Sequence, residues 1–331
     1  MNNKILLKTL CVLLVSTMAI TLLTGCGSSN GSTASSGNVK ILYSINDNND
    51  TFRENLYASI KSEAAAQGAT LDLSMCGDNV EDQVAEITQA ASKGYSAIIC
   101  RPTDSSTALQ LQAATTLPIV YVNSAPDDSV LKADRYIYAG SDEGDAGKLQ
   151  AEYVIKKLGN KSSMNLIIVM GEKGHSAAIG RTKAIKNTLK DAGIQYNIVF
   201  SDNGPSWSVE DGKKQMDTFY KTGQSVDAIF CNNDNLALGV IESVKAHNEN
   251  PSAIPICGVD ATAEGCASVA AGDMSFTALQ NAKSQGESAV RAAVLMSQGK
   301  SISSLEGATK DRLHVFVPFE PVDASNVKQY Q

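Results

Sequence analysis

Short runs of β-branched and apolar residues alternate with longer amphipathic segments from Val39 to the end of the chain. The short runs predict strands, and the segments whose apolar residues recur every three or four positions predict helices. The predicted strands span residues 39–45, 69–75, 96–100, 117–123, 136–140, 164–170, 194–200, 226–231, 254–259, 274–280 and 313–319. The predicted helices span residues 51–67, 80–93, 104–116, 142–158, 176–192, 207–221, 234–247, 262–271 and 281–299.

This alternation predicts an α/β fold with two doubly wound, Rossmann-like lobes. Strands that are apolar almost throughout are typical of parallel sheets covered by helices on both faces. The irregular stretch 125–135 and the turn 140–142 mark the boundary between two open sheets. We expect the last helix to return to the first sheet and the chain end to join the second, so that several crossings form a hinge. The predicted N-terminal lobe is 39–141 plus 281–318, and the predicted C-terminal lobe is 142–280 plus 319–331.

The first 25 residues predict an export signal that is not part of the fold. Lys4 and Lys8 precede an apolar run, which is the order found in secretory signals. The sequence Leu23-Thr24-Gly25-Cys26 resembles a bacterial lipobox, which implies cleavage before Cys26 and attachment of a lipid to its thiol. Residues 26–38 continue as a Gly/Ser-rich tether. The prediction is an exported protein held at the outer face of the cell membrane by a lipid anchor only, and the alternative is an ordinary secretory signal.

Composition narrows the possible functions. Hydrophobic residues make up 43% of the chain and charged residues 19%, as in ordinary globular proteins. The net charge of −7 argues against nucleic acid as a partner. The cysteines beyond Cys26 have irregular spacing, so they predict neither a disulfide framework nor a metal site. Cys100, Cys231 and Cys257 each end an apolar run and are predicted to be buried free thiols.

Polar and aromatic side chains follow the predicted strands at their carboxyl ends. Ligands of open α/β sheets bind outside those ends, so these residues predict one cleft between the two lobes. The candidates are Asp50, Phe52, Arg101 and Asn123 in the first lobe, and His175, Arg181, Trp207, Asn233, Asp260 and Gln280 in the second. Carboxylates and carboxamides bind adjacent hydroxyls, while aromatic faces cover the C–H faces of a ring. The set therefore predicts a polyhydroxylated cyclic ligand.

Each candidate taken alone has an ordinary structural explanation. Asp50 and Asn233 precede helices, where such side chains are typical N-caps. His175 follows a glycine at a turn, Arg181 is compatible with a solvated helix face, and Trp207 with a core or helix-start position. The functional interpretation rests on their shared position at one end of every strand.

Three segments resemble the type I periplasmic sugar-binding proteins, above all their galactose/glucose-binding members. They are GEKGHSAAIGR (171–181), CNNDNLALGVIESVKAHN (231–248) and IPICGVDATAEG (254–265). The resemblance runs from about residue 39 to 327 and implies a solute-binding protein of an ABC importer, with the type I periplasmic-binding-protein fold. It implies a monosaccharide ligand, galactose or glucose first and ribose or xylose as alternatives. The implied partners are an ABC permease and, for some members, a chemoreceptor or sensor, and the implied state is a monomer.

The resemblance also implies a role for each candidate residue. Phe52 and Trp207 become the two aromatic walls that stack on the sugar. The implied polar ring consists of Asp50, Asn123, His175, Arg181, Asn233 and Asp260, with Gln280 beside it. Arg101 rests on the strand-end argument alone.

The sequence departs from the family pattern at three places. An Asp of the family is Ala177 here, so we expect Arg181 to lack a local acceptor and to depend on the ligand or on Asp260. The family's hinge Asn is Gln280, as in ribose-binding relatives. The calcium loop is absent at 159–163, so we expect no cofactor and no structural calcium.

Two other classes of function share some of these features. LacI-type repressors use the same two-lobed fold, but they begin with a DNA-binding helix-turn-helix where this chain has the predicted export signal. A secreted carbohydrate-active enzyme needs two carboxylates that flank one glycosidic bond. The chain carries no GxSxG, HExxH or dinucleotide motif, and we predict that it is not an enzyme.

Overall fold

The computed structural model describes residues 39–47, 50–159 and 161–331. The predicted export signal, the lipid-attachment residue Cys26 and the tether up to residue 38 lie outside the described residues. No helix in the described part of the chain is both long enough and apolar enough to cross a membrane.

The strands of the described chain form two six-stranded sheets. The first contains β1 (Lys40–Ile45), β2 (Thr70–Met75), β3 (Ala97–Cys100), β4 (Ile119–Tyr121), β5 (Tyr136–Gly140) and β11 (His314–Phe316), in the order β11-β5-β4-β3-β1-β2. The second contains β6 (Ser163–Met170), β7 (Gln195–Asn203), β8 (Ala228–Cys231), β9 (Ile256–Cys257), β10 (Phe276–Leu279) and β12 (Glu320–Asp323), in the order β12-β10-β9-β8-β6-β7. The named pairs are parallel except β10–β12.

Helices follow most strands, as the sequence pattern predicts. They are α1 (Thr51–Ala66), α2 (Val80–Ala90), α3 (Ala108–Ala113), α4 (Glu143–Lys157), α5 (Ser176–Asp191), α6 (Val209–Tyr220), α7 (Asp234–Ala246), α8 (Ala263–Ala271) and α9 (Ala282–Ser297). We call the first sheet with α1–α3 and α9 the N-lobe, and the second sheet with α4–α8 the C-lobe. The predicted fold class of two parallel-sheet α/β lobes is confirmed.

Apolar residues of each sheet pack against the helices on both of its faces. In the N-lobe, one buried cluster joins β1 to α1 and α9, and another lies against α2 and α3. Two further clusters cover the C-lobe sheet. Cys100, Cys231 and Cys257 are buried free thiols within these clusters, as predicted.

The chain crosses between the lobes after β5, after β10 and after β11. Helix α9 follows β10 of the C-lobe sheet and packs against α1 and the N-lobe sheet. Ser141 Oγ donates a hydrogen bond to the Val317 carbonyl oxygen at 2.6 Å, and Gln285 Nε2 donates to Ser141 Oγ at 2.8 Å. These bonds tie the crossings to one another.

The predicted last strand, 313–319, differs from the observed structure. Strand β11 ends at Phe316, and the chain then passes to the other sheet, where β12 runs antiparallel to β10. Sequence reasoning missed β12 because Pro321 interrupts a very short segment. A proline is compatible with this position because β12 is an edge strand.

Candidate ligand-binding cleft

One cavity between the N-lobe and the C-lobe brings together the residues predicted to bind a ligand. It is lined by Asp50, Phe52, Asn123, His175, Arg181, Trp207, Asn233, Asp260 and Gln280, and also by Arg53 and Ala177. Its volume is about 280 Å³, counting the solvent at its mouth.

Three of the lining residues also cap helices. Asp50 Oδ1 accepts a hydrogen bond from the Arg53 backbone N–H at 2.8 Å, at the start of α1. His175 Nδ1 accepts from Ala177 N–H at 3.1 Å, and Asn233 Oδ1 accepts from Leu236 N–H at 2.9 Å. The capping explanation is therefore correct for Asp50 and Asn233, and His175, for which only a turn position was expected, is a cap as well. Capping does not compete with a place in the cavity. A residue between a strand end and a helix start satisfies the helix while it stands beside the cleft.

The imidazole of His175 is held in its neutral form. Burial lowers its pKa well below the ordinary value, and the nearby cations Arg101, Arg53 and Arg181 lower it further. Because Nδ1 accepts the capping bond, the proton of the neutral ring belongs on Nε2. His175 therefore brings a hydrogen-bond donor to the cavity.

Two aromatic side chains reach the cavity from opposite lobes. Phe52 lies on α1, and Trp207 lies just before the N-cap of α6. The indole of Trp207 packs so closely on Gly171 that a Cβ there would lie 2.5 Å from the ring. The imidazole of His175 stands edge-on to the indole, with ring centroids 4.9 Å apart. Trp207 is thus fixed in orientation, which suits a stacking surface.

Arg181 is held by a buried carboxylate that sequence reasoning missed. Its Nε donates to Glu143 Oε2 at 2.7 Å, and its Nη2 donates to Gln280 Oε1 at 2.9 Å. The expectation that Arg181, without a local acceptor at position 177, depends on the ligand or on Asp260 is therefore wrong, because acceptors distant in the sequence orient it. Burial raises the pKa of Glu143, and Arg181 opposes that rise. Burial alone would lower the pKa of Arg181, but Glu143 and Asp260 raise it overall.

Two glycines allow this ion pair to form between α4 and α5. A Cβ on Gly180 would lie 2.8 Å from Glu143 Cβ, and a Cβ on Gly147 would collide with the Arg181 carbonyl oxygen. The helices approach closely at these positions, which brings Glu143 against Arg181 from a separate helix. Gly147 and Gly180 interrupt predicted helices, and a glycine at such a position can indicate close packing against a neighbouring helix.

The carboxylate of Asp260 stands in the cavity wall without a partner from the described chain. Asp260 is 9% exposed, and its side chain has no hydrogen-bond or ion-pair partner among residues 39–47, 50–159 and 161–331. Burial raises its pKa well above the ordinary value; Arg181 lowers it, and neighbouring carboxylates such as Asp234 add to the rise. Asp234, in contrast, accepts hydrogen bonds from Thr277 Oγ1 at 2.6 Å and from Thr262 N–H at 2.8 Å. Asp260 therefore offers an unused acceptor to a ligand.

Two buried donors also remain unused within the described chain. Trp207 Nε1 and Gln280 Nε2 have no hydrogen-bond partner there. Both residues line the cavity. Unpaired buried polar groups are energetically unfavourable, so a ligand that supplies several acceptors and donors stabilises this arrangement.

On the N-lobe side, Arg53 lines the cavity and the predicted candidate Arg101 does not. Arg53 lines the cavity and its Nε lies 2.6 Å from Asp50 Oδ2, although nothing in the sequence singled it out. Arg101 does not line the cavity; its Nε donates to Asn123 Oδ1 at 2.8 Å. The strand-end argument is therefore wrong about direct access for Arg101, which instead orients Asn123.

The part of the chain that the structure describes holds no group of three or more His, Cys, Asp or Glu arranged for a metal ion. Segment 159–163, where the resembled family has a calcium loop, includes Asn160, which lies outside the described residues. The expectation of no cofactor and no structural calcium stays a prediction.

The comparison with protein families decides the classification. A family profile described as "Periplasmic binding protein domain" matches residues 41–301. The chain belongs to this family. Its members are binding proteins, so the chain is a binding protein and not an enzyme.

Individual relatives of this binding protein match most of its length. A candidate rhizopine-binding protein of Rhizobium meliloti is 29% identical over 267 residues, which are 80% of this chain and 83% of the relative. The D-galactose/methyl-galactoside binding periplasmic protein MglB of Haemophilus influenzae is 27% identical over 321 residues, 92% of this chain and 95% of the relative. The crystal structure of an ABC transporter solute binding protein from Bacillus halodurans, with bound myo-inositol, is 28% identical. It aligns with a TM-score of 0.78 over 90% of this chain and 99% of that one.

Proposed function

We propose that this protein, a sugar-binding solute-binding protein of an ABC transporter, captures one monosaccharide in the cleft between its lobes, with galactose or glucose as the first candidates. The observation that supports this proposal is the ring of polar and aromatic side chains around a small cavity, with the carboxylate of Asp260, which has no partner among the described residues, in its wall. The relative named for D-galactose and methyl-galactoside, which matches 92% of this chain, supports the choice of candidates.

The side chains of the cavity match the surface of a pyranose. Asp260 accepts hydrogen bonds from ring hydroxyls, and a bond to a charged acceptor is roughly twice as strong as a neutral one. His175 Nε2 and the unused nitrogens of Trp207 and Gln280 donate to hydroxyl oxygens. Phe52 and Trp207 cover the two faces of the ring from opposite lobes. A flat aromatic ligand would leave the polar groups unpaired.

The hinge gives the mechanism of capture. In this proposal the lobes, 39–141 plus 281–318 and 142–280 plus 319–331, move as units about the three crossings. An open arrangement exposes half of the binding residues on each lobe, and a sugar that bonds to both halves shifts the population toward the closed arrangement. The closed form is then recognised by the permease, and for some transport systems also by a chemoreceptor or sensor. The protein acts as a monomer, with no cofactor and no structural calcium.

A cyclitol is the second candidate ligand. The solved relative from Bacillus halodurans contains myo-inositol and is 28% identical over nearly its whole length. Myo-inositol also presents a ring of hydroxyls with apolar C–H faces, so the same donors, acceptors and aromatic walls suit it. Ribose and xylose remain alternatives because Gln280 stands at the hinge position.

A binding screen tests the proposed function. We expect at least one of galactose, glucose, ribose, xylose and myo-inositol to raise the unfolding temperature, since a ligand at 100 times its Kd adds about 2.7 kcal/mol of stability. The single tryptophan, Trp207, lies in the cavity, so the same ligand is expected to change the intrinsic tryptophan fluorescence. Isothermal calorimetry gives the affinities. If none of the five changes either signal at millimolar concentration, the proposal is wrong.

We also propose that the mature protein is exported and anchored through a lipid on Cys26. Its support is the signal pattern of residues 1–25, the sequence Leu23-Thr24-Gly25-Cys26 and the exported character of the family. Cells fed with labelled palmitate are expected to label the protein and to retain it in the membrane fraction. Cys26→Ser is expected to abolish both, whereas Cys76→Ser, at a half-buried cysteine in the folded body, leaves both unchanged. Equal labelling of Cys26→Ser and the unsubstituted protein would exclude the anchor.

A further inference from the structure

One carboxylate joins the two lobes beside the cavity. Glu172 follows β6 of the C-lobe, and its two oxygens contact two different cations of the N-lobe. Arg53 Nη2 donates to Glu172 Oε1 at 2.9 Å, and Arg101 Nη2 donates to Glu172 Oε2 at 3.2 Å. Glu172 itself does not line the cavity that holds the candidate binding residues.

The two arginines stand in different environments within their own lobe. Arg53 already has carboxylates nearby, since it pairs with Asp47 and Asp50. Arg101 donates within the N-lobe to the amide oxygens of Asn46 and Asn123, and its ion pair in the described chain is with Glu172. The C-lobe therefore supplies the carboxylate that forms the direct ion pair with this cation.

The ion pair between Arg101 and Glu172 is largely shielded from water. The side chain of Arg101 is 2% exposed and that of Glu172 is 26% exposed. Burial lowers the pKa of Arg101, and the neighbouring charge of Arg53 lowers it further, while Glu172 raises it, followed by the more weakly acting Asp47 and Asp50 of the N-lobe. Attraction between charges is stronger in such a partly desolvated position than at an open surface. Separation of the lobes would return Glu172 to water and leave Arg53 and Arg101 next to each other without it.

A second contact runs between the lobes near the same place. The Ala125 backbone N–H donates to Ser176 Oγ at 2.9 Å, and Ser176 is the first residue of α5, four residues after Glu172. The loop from Glu172 to Ser176 thus meets the N-lobe twice. This loop also carries His175, which lines the cavity.

We infer that Glu172 is a closure residue, which holds the lobes together through its ion pairs with Arg53 and Arg101 and thereby sets ligand affinity without contact with the ligand. The inference deepens the proposed function and rests on it for its ligand measurements. The apparent Kd equals the intrinsic Kd divided by the fraction of molecules in the binding-competent state. A residue that changes only this fraction changes the affinity for every ligand by the same factor.

The variant Glu172→Gln tests the inference, because it keeps the side-chain size and removes the charge. We expect its Kd to rise by about tenfold for each ligand that binds, with the ranking of ligands unchanged. We also expect the affinity of the unsubstituted protein to fall more steeply than that of the variant between about 0.1 and 1 M NaCl, because the Debye length falls over that range from about 10 Å to about 3 Å and salt screens ion pairs. Without ligand, small-angle X-ray scattering is expected to give a larger radius of gyration for Glu172→Gln.

The matched control is Glu242→Gln, which removes the same charge from an exposed position on α7 of the C-lobe. It is expected to match the unsubstituted protein in affinity, salt dependence and radius. An unchanged Kd and radius in Glu172→Gln would overturn the inference. A changed ranking of ligands would also overturn it, because that result identifies Glu172 as a contact residue. If no sugar or cyclitol binds even the unsubstituted protein, the proposed function fails, and the radius of the ligand-free protein alone decides the role of Glu172.

Discussion

Asp260→Asn is expected to weaken ligand binding by at least about tenfold, or 1.4 kcal/mol, and to stabilise the ligand-free protein at the same time. The loss follows because the buried carboxylate is the unused charged acceptor of the cavity. The gain follows because burial penalises this charge, which has no hydrogen-bond or ion-pair partner among the described residues. Asn has nearly the same shape and tolerates the positive φ of 116° at this position. Calorimetry with the bound sugar and thermal unfolding without it measure the two effects.

The stabilisation has a defined pH dependence. The folded-state pKa of Asp260 is raised, so the folded protein holds its proton more tightly than the unfolded chain does. The stability associated with this proton is present at low pH and is lost as pH rises from the ordinary Asp pKa toward the raised one. The difference in free energy of unfolding between Asp260→Asn and the unsubstituted protein is therefore expected to grow from about pH 4 toward neutral pH. Asp191→Asn, at an exposed position at the end of α5, serves as the control. A variant that binds as tightly as the unsubstituted protein would remove Asp260 from the proposed site.

Arg181→Met is expected to lower the free energy of unfolding by about 3–5 kcal/mol and to abolish ligand binding. The substitution leaves Glu143 buried without its cation, and the side chains of this pair are 3% and 7% exposed. It also removes the donor to Gln280 Oε1. Chemical denaturation gives the stability, and calorimetry gives the binding.

The double variant Glu143→Leu/Arg181→Met separates the two effects. It replaces both charges by apolar groups, so most of the stability is expected to return, whereas binding stays lost because Arg181 lines the cavity. If Arg181→Met and the double variant have equal stability, the loss in Arg181→Met does not come from leaving Glu143 without its cation.

The candidate site was largely predictable because each of its residues is set by local sequence. Asp50 and Asn233 stand where a strand ends and a helix begins, and the same position makes them caps and cavity residues at once. Parallel strands place all such positions at one edge of the sheet, so their assembly follows from the strand order. The order of strands and helices follows from the hydrophobic period, but some boundaries do not: β9 covers only Ile256–Cys257 of the predicted 254–259, and α3 only Ala108–Ala113 of the predicted 104–116.

What the sequence did not predict depends on contacts between distant elements. Glu143 precedes Arg181 by 38 residues and meets it only because α4 and α5 pack closely at two glycines. Arg53 is the third residue of α1, and nothing in its local sequence marks it as a ligand contact. Its place in the cavity depends on how α1 lies over the sheet. Arg101 follows its strand as the other candidates do, but it turns to Asn123 and Glu172 and not to the cavity. Helix packing and side-chain direction decide these three cases, and neither is encoded in a local pattern.

Neither lobe is a continuous stretch of polypeptide. The N-lobe sheet is completed by β11 and covered by α9, both of which follow the strands β6–β10 of the other lobe in the chain. A chain that grows from its N-terminus therefore finishes the N-lobe only after nearly all of the C-lobe has been made. Truncation before residue 282 removes a helix and a strand from the first lobe and an edge strand from the second. Production of an isolated N-lobe requires residues 282–316 to be joined to the end of β5, in a chain order that the natural protein does not use.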